Sequence, residues 1–231
     1  MNNRPPFNIE KQSYKKKILF AGLKTNIYFC EPKILNIGNF SSRMNVLETI
    51  LKSTRSVFTI QSLMIMTNCK DSVLLTKSLH YYTVCGKIRN PRRGIYTKLS
   101  YNEMEMSCSL FRPSYISLDY VLQRAGVVFQ WDESVSNISY LTRKIEIDDQ
   151  KYLFRKINPE LWIGTEGIEQ HDNIAIASPE RAFLDTMYLS AGNCYFDNLK
   201  PLSVSNIRRL LPFYHSQKLN QRVAELMKIK P

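Results

Sequence analysis

Between Ser72 and Arg93 the chain concentrates side chains suited to work on a polyanion. Ser72, Thr76, Lys77 and His80 are the groove-facing candidates: Thr76, His80 and Thr83 form a mostly polar helical stripe with Lys77 beside it. Hydroxyls can donate to or accept from several base edges and so discriminate weakly, while Lys77 can reach guanine or phosphate. Tyr81 beside them is read as packing. Directly afterwards VCGKIRNPRRGIYT places Lys87, Arg89, Arg92 and Arg93 around a single proline. Such a tip is too charged to pack into a core. Its cations suit phosphate contacts, which position a protein without reading sequence, and Arg92 or Arg93 could also sense the width of a minor groove.

Other chemistries fit less well. The five cysteines, at 30, 69, 85, 108 and 194, contain no C-x-x-C pair, and the three histidines lie far from one another. Reduced thiols are expected, and no metal. Glu166, Glu169, His171 and Asp172 gather in GTEGIEQHDN, which reads as an exposed loop. Asp149-Gln150-Lys151 fits the short acid-x-Lys element of Mg²⁺-dependent nucleases, and that supplies the alternative reading, a DNA-processing enzyme. Glu180 and Asp185 are five apart and point to different sides of a helix, so they do not converge as an acid–base pair. Ser178 has no activating base nearby and reads as a helix cap. The eight glycines are scattered and form no phosphate-cradling loop. No catalytic residue and no cofactor is expected.

The charge is segregated. Residues 1–100 hold 17 Lys and Arg against 4 Asp and Glu, whereas residues 101–231 hold 15 against 16. The net +12 therefore belongs to the front of the chain, and nucleic acid is the common polyanionic partner of such a module. No apolar run approaches the ~20 residues of a membrane span. The piece ILFAGLK after Lys15-Lys16-Lys17 is too short for an export signal, so a cytoplasmic protein is expected.

The elements that must hold these residues can be read from spacing. Residues 1–40 form a basic extension. A helix capped by Ser41 or Ser42 carries Leu47, Ile50, Leu51 and Thr54. A second opens at Thr59 and turns Leu63, Met66 and Thr67 inward. After a turn at 68–71, a third runs from about Ser72 to Cys85, buries Leu75, Leu79 and Tyr82, and ends at Gly86. Strands at 87–89 and 94–97 flank a loop at 90–93. Over residues 41–100 this order predicts a winged helix-turn-helix, whose last helix enters a major groove while the wing meets the backbone.

Residues 101–231 predict a mixed α+β domain closed by C-terminal helices. SYISLDYVLQRAGV reads as a helix capped by Ser117. SYLTRKIEI, YLFRKI, LWIG and NIAIA read as strands, with a turn at 148–150. SPERAFLDTMYL reads as a helix with Ser178 as cap, Pro179 at its first position, and Arg181 paired to Asp185. Two short helices near 204–211 and 217–228 are split by Pro212.

Three of these stretches, VFTIQSLMIMTN with LHYYTVCGKIRNPRRGIYT, PSYISLDYVLQRAGV, and IAIASPERAFLDTMYL, together resemble the AbiEi antitoxins of type IV toxin–antitoxin systems. The resemblance spans roughly residues 41–230. It implies a winged helix that represses its own operon by binding inverted repeats. It also implies a C-terminal domain that counteracts a nucleotidyltransferase-like toxin without a stable complex. One helix and one wing cover about one half-site, so a dimeric or cooperative pair on double-stranded operator DNA is expected.

Overall fold

Ile50, Phe58, Leu63, Leu75, Leu79, Ile88 and Tyr96 come together as a core of the first half, because each falls on the inward side of its element. The computed structural model describes residues 46–162, 165–190 and 194–227. The basic extension, Lys15–Lys17 and the cap at Ser41 or Ser42 lie outside the described residues. The first half runs α1 (Val46–Lys52), β1 (Val57–Thr59), α2 (Ile60–Thr67), α3 (Ser72–Val84), β2 (Arg89–Arg92) and β3 (Ile95–Thr97). Helix α2 starts at Thr59 through a reciprocal cap: the Thr59 hydroxyl accepts from the Ser62 amide and the Ser62 hydroxyl from the Thr59 amide. Asn68 turns left-handed at φ 49°, and the Asp71 carboxylate then accepts from the amides of Val73 and Leu74 to open α3. Gly86, at φ 66°, stops that helix without a Cβ clash.

The hairpin departs from expectation. Residues 90–92, read as loop, are strand, and the turn is only Arg93-Gly94. Strand β2 is an edge of a three-stranded sheet ordered β1-β3-β2, so Pro91 loses no ladder partner there. The register shifts between Arg89 and Arg92, and the Asn90 amide spans the shift by donating to the carbonyls of Arg92 and Ile95. Strand β1 had no sequence signal of its own.

The second half is mixed α+β: α4 (Glu103–Leu110), β4 (Ser114–Ile116), α5 (Asp119–Arg124), β5 (Val135–Ser139), β6 (Arg143–Ile147), β7 (Gln150–Lys156), a 3-10 turn (Pro159–Trp162), β8 (Ile168–His171), β9 (Ile174–Ala177), α6 (Pro179–Leu189), α7 (Val204–Leu210), a 3-10 turn (Leu211–Tyr214) and α8 (Gln217–Met227). Its six strands are ordered β6-β7-β5-β4-β9-β8, with β4–β9 and β5–β7 parallel. Helix α6 packs on β9, α5, α7 and α8.

Several expectations are corrected. PSYISLDYVLQRAGV is a strand followed by a helix, because Ser114–Ile116 pairs with both β5 and β9 and is buried in mid-sheet. Ser117 is not a cap: Leu118 adopts φ 58°, which turns the Ser117 hydroxyl inward to donate to Asp185. SYLTRKIEI is divided between the end of β5 and β6. The described part of LWIG is a 3-10 turn, and the loop GTEGIEQHDN contains edge strand β8.

The two halves share packing. Val57 and Ile95, from the three-stranded sheet, belong to the core of the second half. Glu105 on α4 accepts from the amides of Ser56 and Val57 and from the Ser56 hydroxyl, taking up donors at the start of β1.

Candidate nucleic-acid interface

Leu75 and Leu79 fix the inner side of α3, and this dictates what faces out. Ser72, Lys77 and His80 are exposed, and Thr76 is half-buried. The Thr76 hydroxyl donates to the Ser72 carbonyl at 2.7 Å, which leaves its oxygen able to accept. Tyr81 is partly exposed and meets Tyr82 edge to face at 5.5 Å. Sequence reasoning missed Val73 and Val84, both exposed on the same side. The available signal was spacing: 73, 77, 80 and 84 step along one line that avoids Leu75 and Leu79. Apolar groups there suit thymine methyls as hydroxyls suit base edges.

The hairpin cations divide into two pairs. Lys87 and Arg93 are exposed, the latter in the turn where Gly94 takes φ 81°. Arg89 and Arg92 lean on the second half. Arg89 Nη2 donates to Asp148 Oδ1 at 2.8 Å, and its guanidinium lies 5.9 Å from the centre of the Tyr101 ring. Tyr101 donates its hydroxyl to the other Asp148 oxygen at 2.7 Å. Burial, reinforced by Asp148, pushes the Tyr101 phenol up to about 12, so it remains a donor at neutral pH. Arg92 lies 5.8 Å from the centre of Phe111. Of the four cations Lys87, Arg89 and Arg93 are exposed and Arg92 is half-buried, and Arg89 is exposed while paired to Asp148.

Residues 46–100 hold nine Lys and Arg against two acids. Both acids are used locally: Glu48 pairs with Lys52 at 2.6 Å, and Asp71 caps α3. The cationic excess thus extends into the described part of the first half.

The motif closing the second half is internal. Arg181 and Asp185 pair at 3.2 Å with only 2% and 0% of their side chains exposed. Asp185 also accepts from Ser117 at 2.8 Å, Tyr115 at 3.1 Å and Tyr214 at 2.6 Å. The remaining guanidinium donors reach the Tyr115 hydroxyl and the carbonyls of Leu161 and Glu166. Burial alone drives the Asp185 carboxyl above its usual range, and the guanidinium and three hydroxyls oppose that. Enclosed on every side, this is a brace and not a reaction centre.

The residues of the alternative reading do not converge. Asp149 is exposed in a tight turn, and Lys151 points outward from β7. Glu169 and His171 alternate along edge strand β8, 3.4 Å apart and exposed. Among the described residues no three His, Cys, Asp or Glu side chains lie close enough to hold a metal ion. A cleft of about 680 Å³ lined by Trp131, Tyr195, Asp119, Asp132 and Arg155 contains none of the residues expected to bind DNA and none of the alternative reading's. No described helix is long and apolar enough to cross a membrane. No family model and no curated protein matches this sequence.

Proposed function

We propose that the chain is a DNA-binding autorepressor and antitoxin of the AbiEi kind. In this reading α1 to β3 form a winged helix-turn-helix, and a mixed α+β domain closed by C-terminal helices follows. The observation that carries the DNA-binding half is the outward side of α3. Lys77 and His80 stand there opposite a fully buried stripe, with Thr76 at its edge and Ser72 exposed in the first turn, and a cationic hairpin follows at once. In helix-turn-helix geometry that side enters the major groove. Lys87 and Arg93 then contribute phosphate contacts, with Arg89 and Arg92 as conditional ones. The order α1–β1–α2–α3–β2–β3, with β1 closing the hairpin into a sheet, supports the winged form. Two molecules on an inverted repeat of double-stranded operator DNA complete the site. The antitoxic half, acting against a nucleotidyltransferase-like toxin without a stable complex, rests on the resemblance carried by PSYISLDYVLQRAGV and SPERAFLDTMYL.

A reporter fused to the chain's own upstream region tests the repressor half. Wild type is expected to silence it, and Lys77→Ala with His80→Ala to relieve silencing at equal protein level. Growth rescue of cells expressing a nucleotidyltransferase-like toxin of the type IV kind tests the other half, and there the same double variant is expected to rescue normally. Unchanged reporter output with wild type, or no rescue, removes the corresponding half.

A further inference from the structure

Asp148 sits at the tip of the β6–β7 hairpin, in a turn whose two residues, Asp148 and Asp149, both adopt left-handed backbone, at φ 51° and 65°. One carboxylate oxygen takes the Arg89 guanidinium and the other the Tyr101 hydroxyl. Two oxygens of one anion, gripped by a guanidinium and a hydroxyl, is also how a phosphate is held. The carboxylate stands where a phosphate would.

We propose that Asp148 is an internal competitor for nucleic-acid phosphate, holding Arg89 in reserve until the backbone of bound DNA displaces it. This rests on the DNA-binding reading above and adds a regulatory contact to it. Arg89 pairs with Thr97 across the hairpin ladder, so exchange requires only its side chain to swing. The side chains of Arg89 and Asp148 are 43% and 35% exposed, so polyanion can reach the pair without unfolding. An exposed pair of this kind is weak enough to be displaced. The β6–β7 hairpin of the second half thereby registers whether the first half is occupied.

Five proteins test it: wild type, Asp148→Asn, Asp149→Asn, Arg89→Ala, and Asp148→Asn combined with Arg89→Ala. Asparagine tolerates the left-handed turn and still accepts from Tyr101, so the fold is kept while the charge is removed. Asp149→Asn makes the same change in net charge one residue away, without touching Arg89. Each protein is titrated by fluorescence anisotropy with the upstream duplex at several salt concentrations, and each is eluted from immobilised heparin. Asp148→Asn is expected to bind about two- to fivefold more tightly, as loss of an exposed ion pair allows. Its log–log salt slope is expected to stay close to wild type, because Arg89 ends on phosphate in both complexes and the gain lies in affinity alone. Asp149→Asn is expected to stay near wild-type affinity, and Arg89→Ala to erase the gain. Equal behaviour of Asp148→Asn and Asp149→Asn, or a gain that survives Arg89→Ala, overturns the proposal. If no protein binds duplex yet only Asp148→Asn elutes later from heparin, the competitor stands and the DNA-binding reading falls. If heparin also fails to separate them, the competitor falls.

Discussion

Arg181 and Asp185 illustrate what a side chain four residues from its partner can and cannot disclose. The pairing was legible in SPERAFLDTMYL, because i, i+4 residues meet on a helix. Its meaning was not. Tyr115, Ser117 and Tyr214 are supplied from distant parts of the chain, and they make the expected i, i+4 pair part of a buried five-residue brace. A buried pair that loses one member leaves an uncompensated charge. Arg181→Met is therefore expected to cost about 3–5 kcal/mol, and joint replacement of Arg181 and Asp185 by apolar residues considerably less. Urea unfolding midpoints check both. A single variant no less stable than the double one would contradict the brace. Ser117 went wrong for a related reason. Its position before a helix marks it as a cap, but Leu118 at φ 58° hands its hydroxyl to Asp185.

Among elements, helices with local signals were the most legible. Thr59 capping α2, the turn at 68–71, Gly86 ending α3, and Ser178 with Pro179 opening α6 all depend on neighbours within four residues. Strands β1 and β4 were not legible, since three residues acquire strand identity only from partners elsewhere in the sheet. Residues 90–92 of the loop expected at 90–93 became strand because Pro91 falls on an edge and the Asn90 amide bridges the register shift. For the candidate interface, the outward side of α3 followed directly from the buried Leu75/Leu79 stripe. The fate of Arg89 could not, because Asp148 lies 59 positions away. These two sides of α3 predict opposite mutational behaviour. Lys77→Ala with His80→Ala is expected to leave stability within about 0.5 kcal/mol, whereas Leu79→Ala should cost about 2–5 kcal/mol. Thermal melts decide this. A large loss on the outer side would mean that it packs and does not read.

At the scale of the molecule, charge and packing have different boundaries. The excess of cations ends near residue 100, but the core does not: Val57 and Ile95 are buried with the second half, and Glu105 holds the start of β1. A cationic head is thus seated on an electrostatically quiet body through a continuous apolar contact. Cationic charge alone predicts affinity for any polyanion, with steep salt dependence, whereas the proposed role of α3 requires its side chains to add preference among sequences. The most direct measurement is a salt-dependent anisotropy titration of wild type and Lys77→Ala/His80→Ala against the chain's own upstream duplex and a random duplex of equal length. The expected result is at least about tenfold preference of wild type for its own duplex at moderate salt. The double variant is expected to lose that preference while retaining salt-sensitive binding to both. Equal affinity of wild type for the two duplexes, or an undiminished preference in the variant, would contradict the assignment of α3 as the reading helix.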